Sequence, residues 1–501
     1  MIFELVLLAA TALLILKLLM TKPYKFPPGP TRWPIIGNML QLKRWGSLPH
    51  FSLGEAARQY GDVVGLYSGR VPVILISSLD GIKEASSRDD LAGRPTSIVQ
   101  TKIDKGDYGV ILSSGERWKE QRRFTLRHLR DLGFGKRSLE GIAHEELEAV
   151  FDEVDKLSGD GKTGSKNPVC VHDILGTAGI NVLWHIISGE RYSHSDPHLN
   201  KLIDNVKKLI TISDPSGGVS VVFPIFTSLF PFWTQLPTFL ELRNSLHQFI
   251  KEEITGHKKT MDSENLRDFL DIYISEIEKQ RSNSTTYFSE KQLVQTCVDL
   301  FMAGSDTTFN SLTFSVLYMI LYPEVQCKVQ KELDIVVGRD RLPSLEDRPN
   351  LPYVEATLHE VLRLSSVAPL AVPHSPLYAE KDVEFRGYII PKKSRVILNL
   401  YAVHHDPKIW GDPHNFRPER FLDDNGRVTK HEALIPFGAG KRACLGEALA
   451  RNNLFLFFTG LVQRYSMTIP NGLPVPSEDP EGGLTLVPKS FKALFEVRTE
   501  R

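Results

Sequence analysis

The chain opens on an apolar run and then changes character. Residues 2–20 read IFELVLLAATALLILKLLM, with Glu4 and Lys17 as the charged positions. At 1.5 Å per residue such a helix reaches roughly 28 Å, close to the thickness of a bilayer's hydrocarbon core. Lys17, Lys22 and Lys25 lie at its downstream end, which holds the rest of the chain in the cytosol. The alternative is a cleaved signal peptide. Ala10-Thr-Ala12 imitates a cleavage site but lies inside the apolar run rather than after it. Residues 1–20 therefore read as a retained transmembrane signal-anchor. Phe26-Pro-Pro-Gly-Pro30 is a stiff, extended spacer, within a proline-rich linker and start of the globular part over 21–50. Residues 51–501 read as one large domain.

Within that domain the periodicity is mostly helical. Val63–Tyr67 and Val71–Ile76 alternate around glycine and predict a hairpin. Helices are predicted from Arg117, over 139–155, over the proline-free 288–321, and over 351–364 before Pro369. Short strands return at 383–385 and 395–398. An apolar helix is expected from Cys444 to Gln463, then strands over 484–497. The fold class is mainly α with small β-sheets.

Composition narrows the classes. The 501 residues are 42% hydrophobic with formal net charge +0, enough for a large core and unlike a general nucleic-acid binder. The four cysteines, Cys170, Cys297, Cys327 and Cys444, are far apart and suggest no disulfide framework. Asn283-Ser-Thr285 is a glycosylation sequon that a cytosolic domain does not present to the transferase. His404, His405 and Asp406 adjoin one another, but no third ligand follows at metal-site spacing.

Residues 436–446 read PFGAGKRACLG: Phe437, Gly438, Gly440, Arg442, Cys444 and Gly446 stand at fixed offsets. This run resembles the haem-binding loop of the cytochrome P450 superfamily. The resemblance implies the cytochrome P450 fold, haem b (iron protoporphyrin IX) as cofactor, and Cys444 as axial ligand of its iron. Glycines such as Gly438 and Gly446 let the backbone approach a flat macrocycle. Phe437 shields the sulfur, and Arg442 pairs with a haem propionate. A thiolate ligand favours O–O cleavage.

Other motifs fit the same frame. Ala303-Gly-Ser-Asp-Thr-Thr308 lies within the long apolar helix. A mid-helix glycine costs about 1 kcal/mol relative to alanine, which suggests room for a small ligand. The motif resembles the family's oxygen-activation segment, in which Thr307 hydrogen-bonds dioxygen and Asp306 relays protons. Glu360 and Arg363 share a helix face at i, i+3. Alone they are an ordinary exposed pair, but with Arg420 in Phe416-Arg-Pro-Glu-Arg-Phe421 they resemble the family's buried Glu–Arg–Arg triad. Trp118 and Arg122 form W-x-x-x-R, which is either a plain helix surface or the family's propionate-facing pair. By resemblance His374 and Arg94 join them.

Lys119, Arg123, Arg127 and Arg130 recur near helical spacing: a solvated face, or a dock for an acidic electron donor. The chain carries no evident flavin or dinucleotide segment of its own. The resemblance implies NADPH–cytochrome P450 reductase as donor, with cytochrome b5 as a second. Its other partners are membrane lipid, at the endoplasmic reticulum, and a lipophilic substrate. Substrate walls are expected from the 96–113 loop, 299–303, 367–372 and the Gly483-Leu-Thr485 turn. The segments around Cys444, 115–138 and 372–376 resemble arthropod hormone-biosynthetic members, methyl farnesoate epoxidases of juvenile hormone biosynthesis among them. Hydroxylation of a steroid, fatty acid or xenobiotic is the alternative. A non-oxygenating isomerase or carrier is a further class, which the Asp306–Thr307 pair disfavours.

Overall fold

The computed structural model describes residues 3, 4, 7, 8, 11, 14, 20–96, 99–133, 139–159, 167–194, 196–212 and 224–498. The anchor expected over 1–20 lies, apart from isolated positions, outside the described residues. Among the described residues no helix is long and apolar enough to cross a membrane.

Helices of seven or more residues are numbered in chain order: α1 Met39–Trp45, α2 Pro49–Tyr60, α3 Leu79–Ser87, α4 Gly115–Asp131, α5 Glu140–Ser158, α6 Gly176–Ser188, α7 Pro197–Ile212, α8 Leu236–Thr260, α9 Phe269–Lys279, α10 Glu290–Leu321, α11 Pro323–Val336, α12 Pro352–Ser365 and α13 Glu447–Arg464. The long helix α10 is the spine. Ser289 caps it, its side chain accepting from Gln292 N–H at 3.2 Å, and Glu290 complements the helix dipole in the first turn. The helix runs 32 residues and ends at Tyr322, ahead of Pro323. It is buried on nearly every side by α6, α8, α12 and α13. Each Leu or Phe buried in this helical core contributes about 1.5–3 kcal/mol, and the cluster is continuous from Leu129 to Phe495.

The strands are β1 Val63–Ser68, β2 Val71–Ile76, β3 Val169–Cys170, β4 Val383–Phe385, β5 Tyr388–Ile390, β6 Arg395–Leu398, β7 Tyr465–Thr468, β8 Pro480–Gly482, β9 Leu486–Pro488 and β10 Lys492–Val497. β1 and β2 form the expected hairpin, with Val63 opposite Ile76. β6 joins β2 in parallel, Arg395 opposite Val73. This sheet has its own apolar cluster, which includes Ile74, Ile76, Phe385 and Leu398. β6 also meets the 372–376 segment: His374 exchanges two backbone hydrogen bonds with Val396, each 2.8 Å.

Helix boundaries differ from expectation by up to three residues; α5, for one, runs on to Ser158 rather than ending at 155. α13 starts at Glu447 rather than at Cys444, because Gly446 is its cap and Ala443 is extended (φ −52°, ψ 151°). α12 stops at Ser365, before the expected brake at Pro369 has any effect. Ser366 enters the left-handed region (φ 39°) and its hydroxyl donates to Arg363 O at 2.8 Å.

Candidate active site

The cysteine loop is built from the backbone outward. Gly438 and Gly440 have φ of 73° and 63°, where a side chain is strained. At Gly440 a Cβ would also lie 2.2 Å from Ser86 O, at the end of α3, so this glycine lets the loop lie against the helix. Cys444 N–H then donates to Phe437 O at 2.9 Å and closes the turn. The backbone N–H groups of Gly446 and Glu447, the first of α13, are aimed at the sulfur and lower its pKa, as does the Arg122 guanidinium. Burial is larger and pushes the thiol up. Cys444 is nonetheless exposed. Arg451 covers the Phe437 ring at 4.8 Å.

On α10, Ala303 is exposed, with Met302, Gly304, Asp306 and Thr307 half-buried around it. Thr307 Oγ1 donates back to Ala303 O at 2.8 Å, the i−4 bond that hydroxyls make in helices. Gly304 corrects an expectation. A Cβ there would lie 2.4 Å from Leu183 Cδ2, so the missing side chain admits α6 rather than a small ligand. Asp306 accepts from Thr485 Oγ1 at 2.5 Å and Asn310 Nδ2 at 2.9 Å. Burial raises its pKa, opposed by those bonds and by the Lys207 charge.

Cations gather around Trp118. The Arg442 guanidinium stacks 3.6 Å over the Trp118 ring. Its Nε donates to Ala92 O at 2.8 Å and Nη2 to Ser113 O at 2.7 Å. Arg94 donates to Ile111 O at 3.0 Å, Val372 O at 2.6 Å and Pro373 O at 3.0 Å. His374 Nδ1 bonds Leu91 O at 3.0 Å, and burial, with Arg94 and Arg442, presses its pKa to about 3. Arg122 turns toward the cysteine: Nη2 donates to Ala443 O at 2.6 Å. Burial presses Arg442 to about 8 and Arg94 to about 9, each aggravated by neighbouring guanidiniums. A guanidinium does not shed its proton in a protein, so this cluster calls for an anion. Among the described residues, Arg442 Nη1 and Trp118 Nε1 are buried donors with no partner. The acid near them, Asp107, binds Ser114 N–H at 3.0 Å and the Tyr378 hydroxyl at 3.1 Å. Unneutralised cations and orphan donors beside an accessible cysteine fit a flat cofactor with acidic side arms.

The expected triad is present as a network. Arg363 donates to both oxygens of Glu360, at 2.7 and 2.8 Å, and Arg420 Nε to Oε1 at 3.0 Å. Arg417 N–H adds a bond of 2.9 Å. Arg363 and Arg420 also donate to the carbonyls of His404, Pro413, Trp410 and Asp412. The polar groups of the turn before the cysteine loop are thereby tied to α12.

Sequence reasoning missed His404. Its Nε2 accepts Ile435 N–H at 3.1 Å and its Nδ1 lies 2.8 Å from Ser366 Oγ, so the neutral ring splices α12 to the entry of the cysteine loop. His405 Nδ1 bonds Tyr401 O at 3.0 Å, and Asp406 caps the next helix by accepting Lys408 N–H at 2.8 Å. Burial, then Arg363, holds His404 down at about 3. Below pH ~6.5 the unfolded chain takes up a proton at this position that the folded chain refuses. Stability is therefore expected to fall as pH drops from 7 to 4, by up to about 1.4 kcal/mol per pH unit for this site. His404→Gln should show a shallower pH dependence of its urea midpoint. An unchanged slope would mean that position 404 is not held neutral.

Comparison with known proteins gives the class. Residues 27–495 match the family Cytochrome P450. The chain is 38% identical over 482 residues to Cytochrome P450 2B4 of Oryctolagus cuniculus, covering 95% of this chain and 94% of that protein. It is 35% identical over 477 residues to Farnesoate epoxidase of Bombyx mori, covering 94% of each. It is 37% identical over 471 residues to Cytochrome P450 2D3 of Rattus norvegicus, covering 91% of this chain and 89% of that protein. The chain belongs to the cytochrome P450 family. It is a monooxygenase whose cofactor is haem b.

Proposed function

We propose that the protein epoxidises a lipophilic isoprenoid ester, with methyl farnesoate of juvenile hormone biosynthesis as substrate. The observation that carries the site reading is the accessible Cys444 beside the unneutralised Arg94–Arg442 pair. The substrate reading is supported by similarity to Farnesoate epoxidase of Bombyx mori.

Cys444 would hold the iron, with Phe437, Gly438 and Gly446 shaping the loop. Arg442, Trp118, Arg94 and His374 would hold the propionates, and Arg122 would steady the loop through Ala443 O. Thiolate-ligated haem supplies the activation of dioxygen and favours O–O cleavage. Thr307 would offer a hydroxyl, and Asp306 would hold or pass a proton. The balanced reaction is alkene + O2 + NADPH + H⁺ → epoxide + H2O + NADP⁺.

Electrons would come from NADPH–cytochrome P450 reductase, with cytochrome b5 as a second donor. Lys119, Arg123, Arg127 and Arg130 are exposed along α4, opposite its buried Trp118, Gln121, Thr125 and Leu129, and would steer an acidic partner. The enzyme would sit on the endoplasmic reticulum membrane through residues 1–20, facing the cytosol.

The test is reconstitution with the reductase and methyl farnesoate. The expected result is epoxide formed in step with NADPH consumption. No epoxide, with turnover of a steroid, fatty acid or xenobiotic under the same conditions, would overturn the substrate.

A further inference from the structure

Asp306 is gripped by one oxygen. Thr485 Oγ1 and Asn310 Nδ2 both donate to Oδ2. Among the described residues no hydrogen bond reaches Oδ1. Asn310 is one turn along α10, whereas Thr485 comes from 179 residues away, at the tip between β8 and β9. That tip is firmly placed. Leu486 N–H donates to Val367 O at 2.8 Å. Gly482 has φ 136°, and a Cβ on it would lie 2.1 Å from Thr485 O. Thr485 itself is 9% exposed.

We propose that Thr485 is a positioning residue for proton delivery. With Asn310 it fixes the Asp306 carboxylate by Oδ2 and leaves Oδ1 as the oxygen that takes up and hands on a proton. The inference rests on the reading of Asp306 as the proton-handling acid. A carboxylate oxygen that already accepts two hydrogen bonds is the poorer seat for a proton, because protonation there displaces a donor. Two donors on one oxygen also restrain both side-chain torsions, so Oδ1 keeps a constant direction. The donor sits on the turn expected to border the substrate, which ties the acid's orientation to the placement of that turn.

The test uses full-length holoenzyme with its reductase. Thr485→Val removes the donor at nearly constant shape, Thr485→Ser retains it, and Asp306→Ala removes the acceptor. Product per NADPH is expected to fall about tenfold in Thr485→Val, within the loss that small misplacements produce. The missing oxidising equivalents should appear as peroxide (NADPH + H⁺ + O2 → NADP⁺ + H2O2). Thr485→Ser should restore coupling. Two readouts are independent of turnover. The substrate Kd from spectral titration should stay within about twofold, since the hydroxyl is spent on Asp306 rather than on substrate. The Tm should drop in Thr485→Val relative to wild type but not in Thr485→Val/Asp306→Ala relative to Asp306→Ala. Full coupling in Thr485→Val with uncoupling in Asp306→Ala overturns the role of Thr485. Additive losses in the double variant also overturn it, since Thr485 would then act through pocket shape. Full coupling in Asp306→Ala overturns the underlying reading of the acid. Should Thr485→Val fail to load haem, Asn310→Leu removes the other donor and is judged by the same outcomes.

Discussion

Glu360→Ala should yield almost no haem-loaded protein. Glu360 and Arg363 are both 0% exposed, and the Arg420 side chain is 5% exposed. Removing the carboxylate strands two guanidiniums away from water, and breaking a buried pair in this way costs about 3–5 kcal/mol. A domain's whole margin is about 5–15 kcal/mol, so the loss is a large share of it. The damage is local to the site. Arg363 and Arg420 donate to the carbonyls of His404, Trp410, Asp412 and Pro413, and His404 in turn holds Ile435 N–H just before the cysteine loop. Arg420→Ala should be milder. It gives Glu360 one bond, against two from Arg363, and its second partner Asp412 is partly exposed. Haem absorbance per protein and the urea midpoint measure both variants. Normal values in Glu360→Ala would mean that the network does not support the site.

Cys444→Ser should leave the fold and remove the chemistry. The Gly446 and Glu447 N–H groups aimed at the sulfur remain to serve a hydroxyl, and Cys444 N–H still bonds Phe437 O. The melting temperature should therefore move by a few degrees at most. A serine oxygen is a harder and far less acidic ligand than sulfur, whereas a metal deprotonates a coordinating thiol outright. Product formation should fall by more than about a hundredfold, since even residues that merely support a ligand are worth 10- to 100-fold. The two variants thus separate by kind: one loses holoprotein, the other keeps a folded chain without turnover.

The local parts of this site were legible in the sequence. Phe437 to Gly446 carry their spacing within one loop, and the i, i+3 step from Glu360 to Arg363 is readable on any helix. The 288–321 stretch read as helix because it holds no proline; that Ser289 caps it emerged only from the structure. Long-range partners were hidden. The partner of Asp306 is Thr485, and Ile435 meets His404 through a ring that read as part of a His-His-Asp cluster. Gly304 looked like room for a ligand because sequence cannot show that Leu183 fills the notch. The α13 start was misplaced because Cys444 belongs to an apolar run. That run turns helical only once Gly446 caps it.

The most direct measurement is the carbon monoxide difference spectrum of the reduced wild type beside Cys444→Ser. The account predicts the thiolate-type band in the wild type and its loss in the variant, with the melting temperature nearly unchanged. A wild type without that band, or a variant that keeps it, would contradict Cys444 as the iron's ligand.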